Sequence, residues 1–399
     1  MSKALGFDPE RLKRIDAWMA ANRESGRYTG TSFLLARRGE IAYLGFDGLR
    51  SVDKNLPYER DTILRIYSMT KPMTSVVFAM LLERGEVYLD TPVSEYIPAF
   101  SKMCALVPGA MTSDQTEPAE SPTLHQLLTH TSGMTYEFNP GLAAQNYAQQ
   151  KINFSPNAGS LADMCDRAAA QPLAFQPGKR WEYSVGIDVI GRVIELITGQ
   201  SLDKVFREQV LEPLDMKDTS FAVPQDKLGR FADCYVKTED DPLAVLETSE
   251  DSAFRQGQVS CLSGGGGLCS TLDDYFRFGE MIRRGGELEG ERLLGSRTLK
   301  FMRCNHLNGD IASMGAETFS EMPMTGMGFG IGGGIVLNPG LTRSPGSEGD
   351  FGWGGMASTY FWTDPIEDLT AVFFTQLVPS SSYPSRAELK ALVHGALID

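Results

Sequence analysis

The sequence predicts an α/β protein: an antiparallel sheet flanked by helices from the two ends of the chain, with a mainly helical lobe inserted between its halves. Three observations predict it. Strand-turn-strand patterns lie near both ends of the 399 residues, an amphipathic helix stands outside each of them, and the middle of the chain turns helical and loop-rich. The expected division is 1–90 with 255–399 as the α/β domain and 91–254 as the helical domain, with the functional site between them. A chain of this length, 42% apolar and 22% charged, can bury a substantial core and does not read as disordered.

Asp8-Pro9-Glu10 reads as an N-cap, a first-turn proline and a first-turn acid, and Leu12, Ile15, Trp18 and Met19 follow at helical spacing. Two β-prone runs come next, 31–36 and 41–46, and Arg38-Gly39-Glu40 between them suits a hairpin turn. Helical periodicity marks 124–129, 186–198 and 201–211. The stretch 106–121 is dense in Pro, Gly, Ser and Thr and predicts a long surface loop. Two further β-prone runs, 358–362 and 369–375, flank Asp364-Pro365, and a last helix over about 385–397 closes the chain. There is no internal repeat and no low-complexity tract.

Composition narrows the function classes. The formal net charge of -14 argues against a nucleic-acid partner or an anionic membrane surface, since both attract cationic faces. The longest apolar run, 76–82, falls far short of the roughly 20 residues a spanning helix needs. The first residues lack a basic region followed by an apolar one, so a cytoplasmic protein is expected. Six scattered cysteines form no C-x-x-C pair, and the four histidines form neither H-x-H nor H-E-x-x-H. No metal and no cofactor are expected.

The G-x-S-x-G elbow of many serine hydrolases is absent. A serine can also be activated by a lysine one helical turn away, because residues i and i+3 share a helix face. That spacing occurs at Ser51/Lys54, Ser68/Lys71 and Ser201/Lys204, and context separates them. The first lies in a polar, turn-like segment, and Ser201 is explained as the N-cap of a helix. Ser68-Met69-Thr70-Lys71 follows the β-prone run 62–67 and opens an apolar helix, where Pro72 is tolerable only in a first turn. A serine there meets a field that favours negative charge, and its own N–H is free for an oxyanion. A plain helix cap would fit the same position, so further residues must decide.

Those residues carry a resemblance. Besides Ser68-Met69-Thr70-Lys71, the chain has Leu127-Leu128-Thr129-His130-Thr131-Ser132-Gly133-Met134, then Pro177-Gly178 through Tyr183-Ser184, and Glu212-Pro213-Leu214-Asp215-Met216. The glycine run 264–267 leads into Ser270-Thr271, and Trp353-Gly354-Gly355 precedes the last strands. Taken in order, these motifs resemble the serine β-lactamase and penicillin-binding-protein superfamily, nearest its class C β-lactamase-like branch and the family VIII carboxylesterases. The resemblance implies a β-lactamase/transpeptidase-like fold and an acyl-enzyme on Ser68, with Lys71 and Tyr183 as activating partners. It implies an oxyanion hole from the backbone N–H groups of Ser68 and Met356.

Two departures bear on substrate. Trp353 stands where β-lactamases carry a lysine, and an indole cannot pair with a substrate carboxylate as an ammonium does. Val185 replaces an amide-binding asparagine. With Gly354 and Gly355, these positions are expected to bind small, uncharged, short-chain esters, which implies a carboxylesterase. The same acyl-enzyme also serves an acyltransferase, a β-lactamase, a D-aminopeptidase or an amide hydrolase; a silent binding or scaffold protein is the alternative of another class. The segments 106–121 and 307–327 are expected to wall the pocket. His130 reads as a structural histidine, and the glycine run as a turn packed near the site.

Overall fold

The chain has the β-lactamase/transpeptidase-like arrangement that the sequence predicts. The computed structural model describes residues 2–399. Its centre is an eight-stranded sheet in the order Met327–Phe329, Gly334–Val336, Phe351–Gly354, Tyr360–Asp364, Leu369–Phe374, Gly30–Arg37, Glu40–Ser51 and Leu56–Pro57, antiparallel throughout. Gly30–Arg37 is buried along its whole length because both faces of the sheet are covered. Phe33 and Leu35 point to one face, where they join Leu12, Ile15, Leu389 and Val393 of the two terminal helices, Pro9–Glu24 and Ser385–Ala396. Leu34 and Ala36 point to the other, toward the helix Leu272–Arg283 and the helical lobe. There Tyr275 and Phe278 meet Phe361 edge to face at 5.0 and 6.4 Å between ring centres.

Local chemistry explains the element ends. Asp8 caps the first helix by accepting from the amides of Glu10 and Arg11, and Thr271 caps Leu272–Arg283 by accepting from Asp274 N. The helical lobe holds Leu124–Leu128, Leu142–Gln149, Leu161–Ala169, Gly186–Thr198 and Leu202–Phe206. The helix expected over 201–211 loses its α pitch at Arg207 and ends in a π turn over Arg207–Leu211.

Two expectations are corrected. The stretch 106–121 is a loop only over 107–115: Met103–Leu106 and Thr116–Ala119 on either side of it pair as a β-hairpin. The segment Cys234–Val236 with Ala244–Glu247, assigned to the helical lobe, joins Leu377–Val378 in a three-stranded sheet, and Ile63 pairs with Phe231. Residues near 231–254 therefore lie with the α/β part, tied there by an ion pair of 2.7 Å between the buried Arg65 and the half-buried Glu247. No helix among the described residues is long and apolar enough to cross a membrane. All six cysteines are free.

Candidate active site

The short ladder of Leu64–Arg65 with Cys269–Ser270 delivers the chain to Tyr67, whose φ of 42° lies in the left-handed region. A non-glycine residue held there costs roughly 1–2 kcal/mol, which the surrounding packing sustains. The turn Tyr67–Met69 then runs into the helix Thr70–Glu83. Pro72 is the third residue of that helix, where its missing N–H has no helical acceptor to lose. Ser68 is half-buried and lines a cavity of about 670 Å³.

Lys71 has no exposed surface. Its ammonium donates to Ser68 Oγ (3.3 Å), Tyr136 Oη (2.9 Å) and the carbonyl of Gly265 (2.7 Å), so all three protons have acceptors. Tyr136 in turn donates to Asp188 Oδ2 at 3.3 Å. The other carboxylate oxygen of Asp188 accepts from Gly265 N at 2.9 Å and from Ser263 Oγ. One buried acid thus fixes both groups that orient the lysine. Burial pushes the Asp188 carboxyl up, opposed by the charge of Lys71. Burial and the neighbouring carboxylate push the Tyr136 phenol well above its usual value, which favours its neutral, donating form.

Tyr183, the other expected activating partner, meets Lys71 through its ring and not through its hydroxyl. Its ring covers Lys71, with Nζ 4.6 Å from the ring centre, while its hydroxyl accepts from Trp353 Nε1 at 3.3 Å. It makes no hydrogen bond to Ser68 or Lys71; the phenol bonded to the ammonium is Tyr136. The reason is the way the strand-like segment before Gly186–Thr198 is pinned. Asn139 Nδ2 donates to the carbonyl of Tyr183, and His130 Nδ1 accepts from Ser184 N at 3.2 Å. The rings of His130 and Phe319 each lie 4.7 Å from that of Tyr183. With its lone pair engaged by Trp353, the Tyr183 O–H remains free to donate into the cavity, which the residue lines. His130 serves as the structural histidine expected; burial, and then the charge of Lys71, hold it well below the ordinary range.

Trp353 and Gly354 end the strand Phe351–Gly354, and Gly355 and Met356 follow at the cavity wall. A Cβ on Gly355 would strike the carbonyl of Ile66 and Thr359 Oγ1, so only glycine lets this segment close on the turn that carries Ser68. The N–H groups of Ser68 and Met356 have no acceptor among the described residues. Val185 does not reach the cavity: it is fully buried at the start of Gly186–Thr198, and the core holds its side chain. Nor does 106–121 wall this cavity; Leu106 to Ala110 border a second one of about 550 Å³. From 307–327, Thr318, Phe319, Ser320, Met322, Met324 and Met327 do line it.

Tyr136 and Asp188 are the functional candidates that sequence reading missed. Asp188 carried a signal, an acid inside the apolar run Ile187, Val189, Ile190, where an unpaired carboxylate is seldom buried. Among the described residues, one cluster could ligate a metal: Asp350, Asp364 and His394, on the opposite side of the sheet from Lys71. There Lys390 Nζ, 2.7 Å from Asp350, already supplies the positive charge.

With this geometry the fold and the sequence agree on a class. The chain belongs to the β-lactamase family, whose sequence pattern matches residues 15–395. It is similar to Protein Rv1367c of Mycobacterium tuberculosis, with 32% identity over 94% of this chain and 92% of that protein. It is also similar to Esterase EstB of Burkholderia gladioli, with 30% identity over 91% and 89%. Among solved structures it is similar to EstCE1, described as a hydrolase with promiscuous acyltransferase activity, at a TM-score of 0.80 and 24% identity, over 98% of this chain and 99% of that one.

Proposed function

We propose that this protein is a serine carboxylesterase that cleaves small, uncharged, short-chain esters through an acyl-enzyme on Ser68. The observation that carries the reading is the 3.3 Å contact between Ser68 Oγ and the buried Lys71 Nζ, at the floor of a cavity bordered by two unpaired amides. The Lys71/Tyr183 pair takes the Ser68 proton as Oγ attacks the ester carbonyl. The amides of Ser68 and Met356 receive the oxyanion. The proton taken from Ser68 leaves with the alcohol, which the Tyr183 hydroxyl, held by Trp353 and facing the cavity, serves as donor, so that the pair ends the step as it began. Water then attacks the acyl carbon and gives one proton to the same pair, which returns it to Ser68 Oγ as the acid leaves. The likeness to Esterase EstB supports ester chemistry over amide chemistry.

The test is hydrolysis of p-nitrophenyl butyrate beside nitrocefin, with and without an added alcohol acceptor. Ser68→Ala is expected to reduce ester turnover by at least about 10³-fold with the fold intact. Retained turnover in that variant overturns the proposal. Ester exchange outrunning hydrolysis would identify an acyltransferase built on the same site.

A further inference from the structure

We propose that the hairpin of Thr318–Phe319 and Met322–Pro323 determines which esters Ser68 accepts, with Phe319 as the contact and a Glu321–Arg386 ion pair as the latch that holds it. The proposal rests on the ester-hydrolase reading and extends it to the determinant of substrate size.

A cavity of about 670 Å³ is of the size that takes a drug-sized molecule, well beyond what a butyryl group fills. That volume remains with Phe319 in place, so a preference for short esters must come from a side chain that limits its wall beside the reacting groups. Phe319 is placed to do so. Its ring stacks on Trp353 at 5.5 Å and 15°, lies 4.7 Å from Tyr183 and meets Trp181 edge to face at 5.8 Å. It closes the cavity beside the very hydroxyl proposed to serve the leaving group.

The hairpin cannot hold that position alone. It has only two pairs of residues, and its turn passes through Ser320 at a φ of 56°. Two side-chain links fasten it. Ser320 Oγ meets Ser380 Oγ at 2.6 Å, and Glu321 meets Arg386 at 3.3 Å. Both members of the ion pair are nine-tenths buried, at 8% and 9% exposure. Arg386 has no other carboxylate partner among the described residues; its guanidinium lies against Gly354 and over the ring of Tyr360. One oxygen of Glu321 has no partner. A buried ion pair of this kind is costly to break from one side. Because Arg386 starts the C-terminal helix and touches the Trp353 strand, the latch ties Phe319 to the same framework that carries Met356. Met322, Met324 and Met327 line this side as flexible chains, able to repack once the hairpin shifts.

The experiment measures the rate at which ethyl and octyl fluorophosphonates modify Ser68, followed by intact-protein mass spectrometry. It compares the wild-type chain with Phe319→Ala, Phe319→Leu, Glu321→Gln and the Ala/Gln double variant. Relative to wild type, the octyl-to-ethyl rate ratio is expected to rise about ten-fold in Phe319→Ala and roughly three-fold in Glu321→Gln. The double variant should match Phe319→Ala, since the latch acts through that ring. A ratio within about two-fold of wild type in both Phe319→Ala and Glu321→Gln, with cooperative thermal unfolding retained, overturns the proposal. If Phe319→Ala does not fold, the same criterion applies to Phe319→Leu. A wild-type chain that reacts with neither probe sinks the esterase reading itself, an outcome separate from an unchanged ratio.

Discussion

A lysine with no exposed surface is tolerable here because each of its protons has an acceptor and a buried carboxylate stands one phenol away. Tyr136 is the joint of that chain. Tyr136→Phe leaves Lys71 one acceptor short and Asp188 one donor short, and kcat is expected to fall roughly 10–100-fold with the fold retained, which steady-state kinetics and circular dichroism check. Tyr183 should behave differently. If its O–H serves the leaving alcohol, Tyr183→Phe will slow ethyl butyrate far more than p-nitrophenyl butyrate, whose leaving group needs no proton; equal losses would remove Tyr183 from that role. Ser68 and Lys71 were legible in the sequence because i, i+3 on one helix is a local relation. Tyr136 was not, because its link to Lys71 exists only after the segment following Gly133 folds back over the helix. Nor could the sequence show that Tyr183 would present its ring to the ammonium, since that depends on His130, Asn139 and Trp353 converging from three other places.

At the level of elements, periodicity found what local packing dictates. The strand runs 31–36 and 369–375 and the last helix lie within a residue or two of Gly30–Arg37, Leu369–Phe374 and Ser385–Ala396, and the first helix, Pro9–Glu24, starts where its capping residues place it. It failed where tertiary partners decide. Pro118 and the turn-forming residues before it obscured a hairpin whose strand Met103–Leu106 is held from the other side by Leu173, and Val185 was assigned to the pocket although its helix turns it into the core. The segment after Trp353 offers the sharpest test at this scale. Gly355→Val places a branched carbon against the carbonyl of Ile66 and Thr359 Oγ1, so the Met356 amide must move. Ester hydrolysis is expected to drop by about 10²–10³ while fluorescence-monitored unfolding in urea remains cooperative. A drop of less than two-fold would take Met356 out of the oxyanion site.

For the molecule as a whole, the buried charges behind the sheet govern its response to acid. Burial pushes the His394 imidazole down from 6.5 to about 4, below its unfolded value. Between those values the native state binds fewer protons than the unfolded one, so this contribution is complete above pH 6.5 and is lost as pH falls toward 4. Asp350 runs the other way. Burial raises it from 3.8 to about 6, and its contribution, full at low pH, is lost as pH rises from about 4 to 6. His394→Gln removes the first effect and leaves the second. The difference in unfolding free energy between pH 7 and pH 4.5 should shrink by roughly 1–3 kcal/mol in that variant, measured by urea titration at both values. An undiminished difference would show that His394 is not the group that acid reaches.

The pairing of Ser32 with Phe374 has a consequence for biosynthesis. As the chain leaves the ribosome, Gly30–Arg37 gains Glu40–Ser51 as a neighbour at once, but its other edge stays bare until Leu369–Phe374, far later in the chain, has been translated. A long, apolar, unshielded border of that kind invites pairing with other nascent chains. Yield in a cell should accordingly depend on how long synthesis leaves that border waiting, and chaperone supply should matter more than the stability of the finished protein.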